Sequence, residues 1–265
     1  MTGSVSRPVR VSCFLLFFLL MAGCTSSAGK PDPGTDTAFL ERRLQHLLRE
    51  QGALRTFAAE GFFYFKDRKT ELNLAVRLLH DRERGACRIT FRGNLDDVLW
   101  ADIVVRDNRV LLHFPLQKTL YRAALPGFDL YPFTKIHVQM EELLRLAALV
   151  PHVPPGAAPV QSTYTKDAYI LYREGPAMQQ KIFMGRARLL VDAVHLFSGN
   201  ALRAILQYSL YKPVGVVAVP HRLSLDAPAH GTRAVLWLRQ ITAGVPVPPG
   251  ALALEPLAGT EIRDL

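Results

Sequence analysis

Short apolar segments separated by turn-forming residues are the sequence feature that most constrains the fold. Runs of apolar or alternating residues recur through most of the chain, at a spacing typical of an antiparallel meander of β-strands. The predicted strands are 57–65, 71–79, 88–92, 98–106, 110–114, 164–173, 179–184, 188–196, 201–211, 216–226 and 233–242. Asp107-Asn108 and Ser198-Gly199-Asn200 are the clearest hairpin turns between them.

Several of these segments are apolar on both faces of the predicted strand. Examples are Leu78-Leu79, Val104-Val105, Val110-Leu111-Leu112 and the run from Val235 to Leu238. A sheet with one face in water alternates apolar and polar residues, so two apolar faces indicate that both are covered. We therefore predict an α+β fold, mostly β: an antiparallel curved half-barrel of about eleven strands, with two or three helices covering the concave face and enclosing an apolar cavity.

Two stretches have the periodicity of amphipathic helices. The first spans 38–49, where apolar residues recur at helical spacing, Asp36 or Thr37 can cap the start, and Gly52 follows the end. The second spans 138–149 and is ended by the proline-rich stretch 151–159, which cannot be a helix or a central strand.

The first 23 residues have the order of a secretory signal peptide. Arg7 and Arg10 are followed by an apolar run over 11–21 and by the small residues Ala22-Gly23. A helix that spans a bilayer needs about 20 apolar residues, so this run is short for a stop-transfer segment.

The run from Leu20 to Cys24 resembles the lipobox of bacterial lipoproteins. The resemblance implies that residues 1–23 are removed and that Cys24 carries a diacylglycerol on sulfur and an acyl chain on its amine. An ordinary signal peptide with an incidental cysteine is the alternative. Residues 24–37, rich in Ser, Gly, Pro and Asp, are predicted to form a flexible tether, and 38–265 the folded domain. Thr25 rather than Asp after the cysteine favours the outer membrane.

The formal net charge is +9, and it falls to +7 when Arg7 and Arg10 are removed. A basic exported protein favours anionic partners such as phospholipid headgroups, although a solvated surface explains the charge equally well. The basic residues are scattered and form no stripe interleaved with aromatics, so we predict no nucleic-acid partner. With Cys13 in the signal peptide and Cys24 lipidated, Cys87 has no disulfide partner and is predicted to be a buried apolar residue.

No arrangement of residues in the sequence indicates catalysis. The eight histidines are dispersed, no cysteine pair supplies a zinc site, and no serine lies in a Gly-x-Ser-x-Gly context. The adjacent acidic pairs Asp96-Asp97 and Glu141-Glu142 are typical of turns and helix starts. We therefore predict that the protein is not an enzyme and needs no metal and no cofactor besides the lipid on Cys24.

The order of helix, meander, helix, proline loop and second meander resembles the half-barrel of the LolA/LolB outer-membrane lipoprotein-sorting proteins, and more closely a group of LolB-like bacterial lipoproteins. The segments that carry the resemblance are Glu60-Gly61-Phe62-Phe63, 88–100 with 102–110, 133–149, and 208–225 with Tyr211 and Pro220. A glycine expected near the turn after Leu95 is replaced by Asp96-Asp97.

The resemblance implies that the protein binds lipid or lipoprotein acyl chains in the cavity and helps their transfer or insertion at the outer membrane. The implied cavity residues, for which ordinary core packing is the alternative, are Leu74, Val76, Leu78, Ile89, Phe91, Val104, Leu112, Phe114, Leu223, Leu225, Leu236 and Leu238. The implied membrane-facing loop contains Leu95, Val98, Leu99 and Trp100, although the last three can instead begin the next strand.

A different function remains open at this point. The protein can be a structural lipoprotein whose half-barrel is filled by its own side chains and whose surface binds another envelope protein. An empty apolar cavity favours the lipid carrier, and a cavity filled with Phe, Leu and Trp favours the scaffold.

Overall fold

The computed structural model describes residues 36–130, 132, 140–151, 153, 157–176, 178–229 and 231–265. These residues form one mostly antiparallel sheet, two α-helices and a 3-10 helix at Pro115–Gln117. The helices are α1 (Thr37–Gly52) and α2 (Met140–Ala147). The strands are β1 (Thr56–Lys66), β2 (Glu71–Asp81), β3 (Ala86–Gly93), β4 (Leu99–Arg106), β5 (Arg109–Phe114), β6 (Thr119–Ala124), β7 (Ala158–Tyr164), β8 (Ala168–Glu174), β9 (Gln179–Gly185), β10 (Val191–Ser198), β11 (Ala201–Val214), β12 (Val217–Ala227), β13 (Thr232–Ala243) and β14 (Glu261–Asp264).

The sheet joins two meanders edge to edge in the order β14-β6-β5-β4-β3-β2-β1-β13-β12-β11-β10-β9-β8-β7. Neighbouring strands are antiparallel, except that β14 runs parallel to β6. The sheet is curved and does not close on itself. A mostly β, curved and unclosed architecture is thus confirmed.

The predicted number of about eleven strands is too low, because the sheet has fourteen. The prediction missed β6, β7 and β14. β7 contains Pro159 and lies at the edge of the sheet, where a missing backbone donor is tolerated. The residues of β14 are all exposed, so no apolar pattern marks them.

The single strand predicted over 164–173 is wrong, because the chain reverses between β7 and β8. The Thr165 hydroxyl accepts a hydrogen bond from the Ala168 amide at 3.1 Å, and the Thr165 amide donates to the Ala168 carbonyl at 2.8 Å. A Thr-Lys-Asp turn contains neither Gly nor Pro, so the usual breaker signal is missing.

Both predicted hairpin turns are confirmed. Asp107 and Asn108 have φ angles of 53° and 56°, as a two-residue type I′ turn requires, and they connect β4 to β5. Gly199 has a φ of 55° in the turn between β10 and β11.

Gly61 lies at a β-bulge where β1 pairs with β13. A Cβ atom at this position would overlap the carbonyl oxygen of Trp237, so only glycine lets the two backbones approach this closely. The Glu60-Gly61-Phe62-Phe63 segment therefore holds together the junction between the two meanders.

Helix α1 matches its predicted position and cap. The Asp36 carboxylate accepts a hydrogen bond from the Ala38 amide at 2.9 Å, which satisfies one of the free donors of the first turn. Leu40, Leu44 and Leu47 are buried on one side of the helix, which contacts β7, β8 and β12. The helix therefore begins at Thr37, the last residue of the predicted tether.

Helix α2 confirms the second predicted helix over 140–147, while residues 138 and 139 lie outside the described residues. Its buried residues include Met140, Leu143 and Leu146. The Met140 amide donates to the Phe128 carbonyl at 3.0 Å, and the Arg82 guanidinium donates to the Ala148 carbonyl at 2.6 Å. Both ends of the helix are therefore tied to neighbouring segments.

Both helices pack against the same side of the sheet, which we call the inner face; the opposite side is the outer face. The C-terminal segment, residues 244–265, covers the outer face of β3 to β6. Leu252 is buried there, and the Arg88 guanidinium donates to the Ala251 carbonyl at 3.0 Å. This end of the sheet is therefore covered on both faces, as the apolar pattern predicts.

Residues Gly34–Leu265 form one compact unit. The predicted signal peptide, Cys24 and most of the tether lie outside the described residues. Among the described residues, no helix combines the length and the apolar character needed to cross a membrane.

Candidate functional site

An apolar cavity lies between the inner face and helix α2. Its volume is about 40 Å³, and none of its lining side chains is titratable. The lining residues are Phe63, Leu72, Leu74, Phe91, Trp100, Ala101, Ile103, Leu112, Phe114, Leu130, Leu143, Leu146 and Ala234. Such a wall can hold an apolar group and offers nothing for acid–base or nucleophilic chemistry.

Aromatic rings fill most of the space under α2. Phe63 packs on Phe91 with ring centroids 5.2 Å apart, and Trp100 meets Phe114 edge-on at 6.1 Å. The remaining volume exceeds that of one water molecule, but ligand pockets typically measure about 300–1,000 Å³. In this conformation the half-barrel is nearly filled by its own side chains.

A second void of about 10 Å³ adjoins the first. The two share Phe63, Phe91 and Leu143 as lining residues. Leu143 of α2 therefore borders both spaces, which we together call the apolar seam.

The structure divides the twelve predicted cavity residues into four groups. Leu74, Phe91, Leu112 and Phe114 line the larger cavity. Val76, Leu78, Ile89 and Leu236 line the smaller void, which Phe91 also reaches. Leu223, Leu225 and Leu238 are buried in the hydrophobic core without lining either space.

Val104 lies on the outer face instead. It is buried beneath the C-terminal segment and lines a surface groove of about 820 Å³. That groove is not apolar, because Arg106, Arg109 and Arg122 border it together with the acidic Asp107 and Asp264. The alternation of side chains along β4 explains the placement, since Ile103 and Val105 occupy the inner face.

Sequence reasoning missed several residues of the cavity wall. Phe63 lies opposite Leu74 across the β1–β2 pair, so the correct strand register would have identified it. Ile103 lies opposite Leu112 in the same way. Leu130 comes from the connection before α2, where the sequence has no periodic signal.

The inner face beneath α1 is closed and contains buried polar groups beside its apolar side chains. Arg173 is buried, lies 3.2 Å from Glu41 of α1, and donates to the Ala157 carbonyl at 2.7 Å. Gln180, paired with Arg173 across β8 and β9, is also buried. Both voids lie in the half of the sheet that α2 covers.

The predicted membrane-facing loop connects β3 to β4 and presents one fully exposed side chain. Leu95 is completely exposed and Val98 is partly exposed, whereas Leu99 and Trp100 begin β4. Asp97 has a φ of 52°, a conformation that aspartate tolerates better than most residues, so it can stand where a glycine was expected. The Arg92 guanidinium donates to the Asp97 carbonyl at 3.0 Å, which holds the loop in this shape.

Two further reactive groups, the Cys87 thiol and the His80 imidazole, are not among the residues that line the cavity. Burial raises the pKa of the Cys87 thiol to about 12, so the nucleophilic thiolate is not formed near neutral pH. Burial, with a smaller effect of the Arg82 charge, lowers the pKa of His80 to about 4. The described part of the chain holds no cluster of three or more side chains suited to a metal ion.

No protein-family model matches the sequence. The search of curated proteins likewise gives no match.

Solved structures with the same fold do exist, at low sequence identity. A domain from Vibrio parahaemolyticus, named as an outer membrane lipoprotein-sorting protein, is 14% identical, with a TM-score of 0.59 over 81% of this chain and 97% of that chain. A LolA superfamily protein from Nitrosomonas europaea is 11% identical, with a TM-score of 0.58 over 80% and 97%. A DUF1329 family protein from Desulfovibrio piger is 12% identical, with a TM-score of 0.57 over 80% and 96%. The LolA-like fold that the sequence pattern predicts is confirmed.

Proposed function

We propose that this protein is an envelope lipoprotein, anchored through Cys24, that binds an acyl chain of a lipid or lipoprotein between the inner face and helix α2. The observation that carries the proposal is the apolar seam under α2, two adjoining voids with no titratable side chain in their walls. The LolA-like fold supports it. An apolar wall without titratable groups favours binding over catalysis.

Binding requires α2 to move, because the cavity of about 40 Å³ cannot hold an acyl chain. Withdrawing Met140, Leu143 and Leu146 from the sheet would expose three side chains, each worth about 1.5–3 kcal/mol. An acyl chain contributes about 0.8 kcal/mol per buried CH₂ group, so about ten methylenes offset the opening. Long acyl chains are therefore the expected ligands.

We further propose that the β3–β4 loop acts at the membrane to which the cargo is passed. Leu95 is the side chain placed to enter the bilayer, and Val98 lies at the base of the same loop. Thr25 after the lipidated cysteine favours the outer membrane as the site of anchoring.

The test uses the chain from Thr25 to Leu265, which lacks the lipid anchor. Native mass spectrometry should show co-purified lipid, and palmitate should displace the fluorescent fatty acid cis-parinaric acid. Leu143→Ala, which removes a side chain that borders both voids, should tighten cis-parinaric acid binding, and Leu143→Trp should weaken it. Leu257→Ala, at an exposed position, serves as the matched control.

A scaffold lipoprotein is the second candidate, favoured by the nearly filled cavity. It predicts a bare protein in the native mass spectrum and no cis-parinaric acid binding by either the wild type or Leu143→Ala. That pair of results would overturn the acyl-chain proposal.

A further inference from the structure

An aromatic patch occupies the outer face of the sheet at the junction of the two meanders. Phe62 of β1 lies directly opposite Trp237 of β13, and Tyr64 lies opposite Val235. The Trp237 side chain is 54% exposed, and the other three are partly exposed. Two shallow grooves of about 290 Å³ and 470 Å³ lie side by side on this face. Tyr64, Val235 and Trp237 line both grooves, and Phe62 lines only the smaller one.

Leu210 of β11 extends the aromatic patch beyond β13 and across β12. It is 51% exposed and lines the second groove, and it is skipped in the pairing of β11 with β12. Its φ of 55° is in the left-handed region, which is unfavourable for leucine. An exposed apolar side chain held in an unfavourable backbone conformation is a feature found at functional surfaces.

The charged groups around the aromatic patch are predominantly basic. Arg239 lies over the Phe62 ring at 5.5 Å, and Arg222 lies opposite Trp237 across β12 and β13. Neither arginine has an acidic partner among the described residues. The other two cations bordering the patch are paired, Lys66 with Glu71 at 3.0 Å and Arg233 with Asp226 at 3.5 Å. The patch therefore has an excess of positive charge that a partner must match.

We propose that the aromatic patch docks on an anionic lipid surface, with Trp237 and Tyr64 at the level of the headgroups and Arg222 and Arg239 against lipid phosphates. Tryptophan and tyrosine are enriched at membrane interfaces because their rings combine apolar bodies with a polar edge. Basic side chains near anionic headgroups add attraction that falls with salt. This site lies on the side of the sheet opposite the cavity and does not depend on acyl-chain binding.

The experiment measures binding of the chain from Thr25 to Leu265 to vesicles of phosphatidylglycerol and phosphatidylcholine, and to vesicles of phosphatidylcholine alone. The wild type should float with the anionic vesicles and remain unbound with the neutral ones. The double variant Arg222→Glu with Arg239→Glu should lower the affinity roughly tenfold or more. Trp237→Ala should also weaken binding and abolish the blue shift of tryptophan emission that accompanies docking.

Matched controls separate the aromatic patch from the general basic charge. Arg42→Glu with Arg188→Glu changes the net charge by the same amount at exposed positions on α1 and in the β9–β10 turn. Leu257→Ala removes an exposed apolar side chain elsewhere. Both controls should change the affinity less than twofold, with unchanged circular dichroism in every variant.

Three results would overturn the proposal. Equal loss of binding in both double variants would mean that charge acts without a site. Unchanged binding by Trp237→Ala would exclude the patch as the contact. Concentration-dependent dimerisation that Trp237→Ala abolishes, without vesicle binding, would assign the patch to a second copy of the chain instead.

Discussion

Two parts of the sheet have the same sequence pattern and different surroundings. In β4, Val105 on the inner face and Val104 on the outer face are both buried, Val104 to 2% exposure under the C-terminal segment. In β13, Leu236 on the inner face is 3% exposed, but its neighbour Trp237 on the outer face is 54% exposed. The inner-face residue is buried in both strands, whereas the outer-face residue is buried in β4 and exposed in β13.

The comparison shows what a strand that is apolar on both faces indicates. The apolar side chains on the second face are then either covered by another part of the protein or available to bind a partner. The protein meets the first condition at β3 to β6 with its own C-terminal segment. At β13 the outer face stays uncovered, and its exposed residues form the aromatic patch, which is available for binding.

The largest loss of stability should come from a substitution on the inner face of β13. Leu236→Ala removes a buried side chain beside the void under α2 and should lower the free energy of unfolding by about 2–5 kcal/mol, through lost burial and a larger cavity. Urea unfolding followed by circular dichroism measures this. A loss below about 1 kcal/mol would show that the inner face is loosely packed, contrary to the structure.

Acid should weaken the inner face through His80. Its ring stacks on Phe57 with centroids 5.1 Å apart, and its pKa is lowered to about 4 from 6.5. The unfolded chain therefore takes up this proton first, so stability is full above pH 6.5 and is lost as the pH falls toward 4. The loss should reach about 3 kcal/mol at most.

The measurement is the slope of unfolding free energy against pH over this window, in the wild type and in His80→Gln. The variant should have a shallower slope, whatever its stability at neutral pH. Equal slopes in the two proteins would mean that His80 does not titrate in this range.

The covered part of the outer face depends on a buried ion pair. The Arg88 guanidinium donates to both carboxylate oxygens of Asp102, at 3.0 and 2.5 Å, and also holds the Ala251 carbonyl. Asp102→Ala should lower the free energy of unfolding by about 2 kcal/mol, because Arg88 and Thr90 lose their acceptor. Glu83→Ala, whose partner Arg55 is exposed, should change it far less. Equal effects of the two substitutions would show that the C-terminal segment does not seal this face.

The smallest effect on stability should come from the bare part of the outer face. Trp237→Ala should change the free energy of unfolding by less than about 0.5 kcal/mol, because its side chain is mostly in water already. Trp237→Ala and Leu236→Ala together compare two adjacent residues that lie on opposite faces of β13. A loss comparable to that of Leu236→Ala would mean that Trp237 is covered in solution.

Local sequence signals predicted many individual elements correctly. The cap at Asp36, the turn at Asp107-Asn108 and the apolar stripe of α2 depend on residues within a few positions of one another. The elements that were missed lack such signals. β14 has no apolar residue pattern to bury, and the turn between β7 and β8 is made by Thr165 without glycine or proline.

The cavity residues were harder to predict, because strand register and coverage are long-range properties. Of the residues predicted to line the cavity, Phe91 and Leu112 lie on the inner face, whereas Val104 lies on the outer face of β4. A run of apolar residues on both faces does not reveal which of them points inward. Only pairing with β3 and β5 decides that.

By itself, the sequence determined a mostly β chain with two amphipathic helices, because periodicity and turn chemistry are local properties. Only the tertiary structure decided how much space remains under α2 and which outer-face residues stay in water. The volume under α2 depends on how Phe63, Phe91 and Trp100 from distant strands pack together. The exposure of Trp237 depends on where a segment far along the chain comes to lie, and no local pattern contains that information.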